Sequence, residues 1–200
     1  MYVITADQIA SRSHDDRVDV AIEQLRHRLG DRVVLGPERT AGDEFQLLSD
    51  EPEAALDALL HLTRSGDWNV GIGIGDVQLP LPTSTRAASG PAFFLARTAV
   101  ERAKRSPDRF AVEVDGDRVF SGPDVEALLA QTLRNRAKRS PEGWELADLL
   151  EGGLSGAAAA RALGITPQAV SARSAAAGLR GEAQVHHALV RLLAETDRAA

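Results

Sequence analysis

The chain contains no cysteine, which excludes disulfide cross-links, thiolate zinc sites, iron–sulfur clusters and a cysteine nucleophile. Aromatic residues make up only 4%, so a surface that reads RNA by stacking bases on exposed rings is not expected. No apolar run approaches the roughly 20 residues that cross a bilayer. The opening Met1-Tyr2-Val3-Ile4-Thr5-Ala6-Asp7 has neither the basic start nor the length of a secretory leader. No membrane contact is expected, and the expected location is cytoplasmic. A basic excess is missing too: 23 Lys and Arg stand against 29 Asp and Glu, for a net charge of −6. That argues against a general nucleic-acid coat and leaves room for one local DNA-reading element. What is present, 44% hydrophobic and 26% charged over 200 residues, suits a folded chain of one large domain or two small ones.

The first 120 residues alternate strand-like and helical stretches, and the last 60 read as helix. Val3–Ala6 is a short β-branched run, a buried strand. Asp15 and Asp16 open a helix with Val18, Ile22, Leu25 and Leu29 on one stripe, ended by Gly30. Val33–Leu35 and Glu44–Leu48 are strand candidates joined by Ala41-Gly42-Asp43, residues suited to a tight hairpin. Pro52 starts a helix closed by Gly66. From Trp68 to Leu79, Val70, Ile72, Ile74 and Val77 mostly alternate with Gly71, Gly73 and Gly75. This predicts a strand with one bare face that another element approaches closely. Pro91 begins a helix through Ala103, and Phe110–Val114 is a last strand turned by Asp115-Gly116-Asp117. The order β-α-β-β-α-β-α-β predicts an α+β, ferredoxin-like layout with helices on one face of a mostly antiparallel sheet. The expected division is a sheet domain over 1–120, a linker helix over 121–140 and a helical domain over 141–200. In the linker, Arg134, Arg136, Lys138 and Arg139 sit at the pole where cations favour the helix dipole.

Short helices are expected over 144–150, 155–163 and 167–177, with a fourth from about Glu182 to Glu195. Gly164 suits a left-handed helix stop, Thr166 a cap and Pro167 a first turn. Helices so joined bury Ala160, Leu163, Ile165 and Val170 against each other. This is the spacing of a helix-turn-helix. The segment Leu163-Gly164-Ile165-Thr166-Pro167-Gln168-Ala169-Val170-Ser171 resembles the recognition-helix region of sigma-factor-like and MarR/LuxR-like bacterial regulators. The resemblance implies that Thr166, Gln168, Ser171 and Ala172, with Arg173 next, face DNA. Gln bonds adenine bidentately, Ser and Thr suit base or phosphate, and Arg reaches phosphate or guanine. The competing reading is a helical packing or dimerisation module.

Asp7 ends the first strand and Asp43 lies in the hairpin between the next two. Were those strands neighbours, both carboxylates would emerge at one end of the sheet, where their repulsion invites a divalent cation. Local backbone bonding is the more ordinary role for either residue alone. Asp7-Gln8-Ile9-Ala10-Ser11-Arg12, Ala41-Gly42-Asp43-Glu44-Phe45-Gln46, Gly71-Ile72-Gly73-Ile74-Gly75 and Ser89-Gly90-Pro91-Ala92-Phe93, in that order, resemble the SatD family. They are also similar, at greater distance, to class III nucleotidyl cyclases and GGDEF diguanylate cyclases. The cyclase resemblance implies that Asp7 and Asp43 hold Mg²⁺ on a purine nucleotide, with Arg39 at the purine-selecting position and Gly73 and Gly75 beside the ligand. The cyclase transition-state Asn and Arg fall here on Phe94 and Thr98, and Arg97 lies one position away. A catalytic cyclase is therefore not expected.

The glycine run is no dinucleotide loop, since GxGxxG would need glycine at Asp76. Adjacent His186 and His187 cannot both face one metal from a helix, and His14, His27 and His61 lack partners at ligand spacing. Val185, Leu189 and Leu192 form a stripe that is core or a dimer contact. The expectation is a homodimeric DNA-binding protein, a transcriptional regulator, binding double-stranded DNA. Its catalytically degenerate cyclase-like domain would serve dimerisation or nucleotide sensing, with a nucleotide effector and Mg²⁺ as the cofactors implied. The alternative is a metal-dependent nucleotide-converting enzyme whose helical tail serves dimerisation.

Overall fold

A computed structural model describes residues 1–11, 13–116 and 118–198. Arg12 of the first motif and Asp117 of the last turn lie outside the described residues. The protein is a mixed α+β chain. One five-stranded sheet has the order β2-β3-β1-β4-β5, where β1 is Tyr2–Gln8, β2 Leu35–Ala41, β3 Glu44–Ser49, β4 Trp68–Ile74 and β5 Phe110–Val114. β1 runs antiparallel to β3 and β4, β2 antiparallel to β3, and β5 parallel to β4. The first four strands thus follow the ferredoxin-like plan, and β5 extends the sheet beyond it through a helical crossover.

The helices do not share one face. Every residue of β4 is buried, so both sides of the sheet are covered. α1 (Val18–Leu29) and α2 (Pro52–Ser65) pack on the side of Ile4, Ile72 and Phe45, where Phe45 meets Trp68 edge-on at 5.2 Å. α3 (Pro91–Ala103) takes the opposite side, over Gly71 and Gly73. A Cβ on Gly73 would stand 2.1 Å from the Ala92 carbonyl oxygen, and one on Gly71 2.3 Å from the Val100 amide. Only glycine lets a helix backbone lie this close to a strand. The bare face anticipated along β4 is thus the seat of α3, and α3 is the crossover that leads to β5.

Two strand ends differ from expectation. Val33 and Val34 precede the strand, because a 3₁₀ turn at Gly30–Arg32 delays its start to Leu35. β2 is an edge strand, which tolerates Pro37 and two register shifts against β3. β4 stops at Ile74, and a Cβ on the following Gly75 would stand 2.6 Å from the Asp115 Cβ.

The chain forms two compact units. The first combines Met1–Ala130 with the stretch from Leu189 onward, and the second is Gln131–Ala188. Both boundaries fall inside helices, α4 (Gly122–Ala137) and α8 (Glu182–Asp197), rather than at residues 120 and 140. In the first unit the tail of α8 returns to β1: the buried Tyr2 hydroxyl donates to the Leu193 carbonyl at 2.9 Å, and the Met1 ammonium meets Asp197 at 2.5 Å. Of the stripe Val185, Leu189 and Leu192, Leu189 is buried, Leu192 is half-buried and Val185 is exposed; Leu193, outside the stripe, is buried as well. No helix among the described residues is long and apolar enough to cross a membrane.

Candidate functional site

In the second unit, three helices build a small apolar core. α5 (Pro141–Glu151), α6 (Gly156–Leu163) and α7 (Pro167–Ala176) each begin at a hydroxyl cap. Ser140, Ser155 and Thr166 accept from the amides of Gly143, Ala158 and Ala169. Each cap satisfies a helix-end amide and stabilises by about 1 kcal/mol. Gly164 takes φ +65°, and the Ile165 amide returns to the Ala160 carbonyl at 3.0 Å, a left-handed stop. Leu146, Ala159, Ala160 and Val170 are buried together, with Leu163, Ile165 and Leu179 packed around them. The corner anticipated between residues 163 and 167 is therefore formed, and its core residues are those expected.

The leading surface of α7 is open. Thr166, Gln168, Ser171 and Ala172 are exposed, although the Thr166 hydroxyl is already engaged as a cap. Arg173 differs from expectation: it is three-quarters buried and its guanidinium lies 3.3 Å from the Glu145 carboxylate on α5. The cations at the end of α4 also have internal roles. Arg136 and Arg139 lie over the Trp144 ring, 4.9 and 4.8 Å from its centroid, and meet Glu182 at 2.6 and 2.8 Å. Arg139 is buried and donates to the Ala177 carbonyl at 2.8 Å. Dipole compensation accounted for them in sequence, and the single Trp144 plate that organises them had no sequence signal.

In the first unit, polar residues of three neighbouring strands gather at one sheet end. Asp7 faces Glu44 on β3 and Asn69 on β4 in register. Lys104, just past α3, lies 3.1 Å from Asp7 and 2.8 Å from Glu101. Burial works against its charge, yet bonds to these two carboxylates raise its pKa on balance. Asn69 donates to Asp7 at 3.4 Å. Glu44 is almost fully buried and accepts from Arg97 at 2.6 Å and from Thr40 at 2.8 Å.

The expected metal and nucleotide residues are placed as follows. Asp43 accepts a hydrogen bond from the Ser11 hydroxyl, and its backbone carbonyl accepts from the Gln8 amide at 3.0 Å. A Mg²⁺ ion shared by Asp7 and Asp43 needs Lys104 and Ser11 to let go. Among the described residues no group of three or more His, Asp or Glu is placed to hold a metal. Arg39 does not stand free for a base: it bonds the Gly42 carbonyl at 2.6 Å and clamps Asp16 and Asp19 at 2.8 and 3.0 Å. Burial opposes its charge but is outweighed by the two carboxylates, which raise its pKa. Gly73 and Gly75 offer no cradle, since Ala92 and Asp115 fill the space above them. Phe94 and Thr98 are exposed on α3. Arg97 is the residue that reaches the cluster; Glu44, Asn69 and Lys104 are members that sequence reasoning missed. Strand alternation alone places Glu44 opposite Asp7, a signal available once β1 and β3 are paired.

Comparison of the chain with protein-family models and with curated proteins returns no match. The chemistry of these two sites therefore carries the functional reading.

Proposed function

We propose that the protein is a sequence-specific DNA-binding protein, a transcriptional regulator, whose second unit reads the duplex through α7. The reading rests on one observation: a capped helix behind a glycine corner presents Gln168 and Ser171 outward while its opposite side is held by Val170. A side chain in that position can enter a groove about 12 Å wide without unpacking the core. Charge distribution supports the reading. The second unit holds seven Lys and Arg against five Asp and Glu, while the first holds sixteen against twenty-four. The acidity of the whole chain thus resides in the sheet unit, and the helical unit carries the sign that phosphate attracts.

In this proposal the sheet unit, resembling SatD and cyclase domains, serves pairing of two chains or sensing of a purine nucleotide with Mg²⁺. Arg97 and Lys104 are the cations available to a polyphosphate if it displaces Glu44 and Asp7. Two-fold pairing sets the half-sites about 34–36 Å apart, or a multiple of that. The test is selection of a preferred duplex followed by mobility shift. Gln168→Ala with Ser171→Ala should lose about 1–3 kcal/mol of preference per base contact removed while the circular dichroism spectrum stays unchanged. Retained preference in the double variant refutes the α7 assignment. Incubation with Mg²⁺ and nucleoside triphosphates should yield no new nucleotide; a product would favour the converting-enzyme alternative. Calorimetry with GTP or ATP, wild type against Asp43→Ala, tests the sensing role.

A further inference from the structure

Six of the seven cations of the helical unit fall into two groups. Arg136, Arg139 and Arg173 are committed to Glu182, Glu182 and Glu145. Arg136 and Arg139 are further sandwiched on Trp144. Moving the buried Arg139 to a phosphate would take it from Glu182, the Trp144 ring and the Ala177 carbonyl at once, at a cost of several kcal/mol. Lys138, Arg161 and Arg180, in contrast, are exposed and form no ion pair among the described residues. Lys138 lies on the connection from α4 to α5, and the other two bracket α7. Arg161 is in the last turn of α6, its carbonyl accepting from the Gly164 amide that makes the corner. Arg180 follows the Leu179 turn that closes α7, where the Leu179 amide bonds the Ser174 carbonyl at 3.0 Å.

The ten residues of α7 span about 15 Å at 1.5 Å per residue. Arg161 precedes its first residue by six positions and Arg180 follows its last by four, so exposed cations flank it on both sides in the chain. Between them, the exposed face holds neutral side chains: Gln168, Ser171 and Ala172.

We infer that Arg161 and Arg180 are the phosphate anchors of the DNA interface, one at each end of α7. Arg173, on which a sequence-based assignment would place this role, instead fastens α7 to α5. The inference rests on the DNA-binding reading and deepens it: affinity comes from two flanking arginines, and preference from the neutral residues between them. Each free cation that meets a phosphate releases a counterion, so each contributes about 0.9 to the slope of log affinity against log salt.

The experiment measures binding of the full chain to a short random-sequence duplex by fluorescence anisotropy over a range of salt. The variants are Arg161→Ala, Arg180→Ala, the lysine exchanges R161K and R180K, and Arg105→Ala, an exposed cation of the sheet unit. Each alanine exchange at 161 or 180 should reduce the slope by about 1 per bound chain. The lysine exchanges should keep it, because a phosphate needs only the point charge. Arg105→Ala should leave it unchanged. Wild-type protein that binds with a slope indifferent to Arg161 and Arg180 overturns this assignment alone. A slope lowered equally by Arg105→Ala overturns it as well, since the contact is then diffuse. Wild-type protein that binds no duplex at low salt rejects the DNA reading, and the anchors with it.

Discussion

Tyr2 shows how one side chain couples two distant stretches of sequence. Its ring is buried and its hydroxyl donates to the Leu193 carbonyl; burial, seconded by the charge of Asp197, pushes the phenol above its ordinary range. An unfolded tyrosine ionises near pH ~10, whereas the folded one keeps its proton. The stabilisation is therefore complete below that pH and declines as pH rises beyond it. Tyr2→Phe should cost about 0.5–1.5 kcal/mol at neutral pH through the lost hydrogen bond. Its deficit should shrink by about 1 kcal/mol between pH ~10 and ~11, measured by urea unfolding at each pH. Arg97 offers a second case. Its removal leaves the buried Glu44 with Thr40 as its remaining hydroxyl donor, so Arg97→Ala should cost about 1–3 kcal/mol. In a Glu44→Gln background most of that cost should vanish, as a double-mutant cycle would reveal. Asp7 was legible as a strand-end acid from sequence. Its cationic partner was not, since Lys104 lies 97 positions away and nothing local marks the pairing.

The elements themselves were readable wherever period and punctuation agreed. The stripe Val18, Ile22, Leu25, Leu29 followed by Gly30 gave α1, and the Gly164–Pro167 corner gave α6 and α7. Reading failed where an element answers to its neighbours. β2 hides behind Pro37 and two register shifts, tolerable because it is an edge. The face chosen by α3 was likewise invisible, since alternating glycines announce a close approach without naming the element that approaches. That approach is testable. Gly73→Ala drives a methyl into the Ala92 carbonyl, and α3 must shift to admit it. The expected cost is about 3 kcal/mol, the upper end of ordinary overpacking. Gly42→Ala meets open space and only a left-handed backbone, so about 1 kcal/mol suffices there. Chemical denaturation of the two variants side by side checks the order, and an equal loss would refute the account of β4.

For the whole molecule, the α+β class and the change of character towards the C-terminus were legible in sequence, while the two compact units divide inside α4 and α8. Hydropathy along a chain shows where composition shifts; it does not show that a final segment folds back on the first strand. Leu189 and Leu193 are buried in the sheet unit, each stabilising by about 1.5–3 kcal/mol. A chain ending at Ala188 should therefore lower the melting temperature of a sheet unit whose first 130 residues are untouched. Thermal unfolding followed at far-ultraviolet wavelengths would measure it, and an unchanged midpoint would contradict the assignment of the tail.

Because the helical unit leaves the sheet unit through α4 and re-enters it through α8, it is an insertion with two attachments. One proteolytic nick near residue 138 would not set it adrift: the two fragments would still hold together through the strand-bound tail.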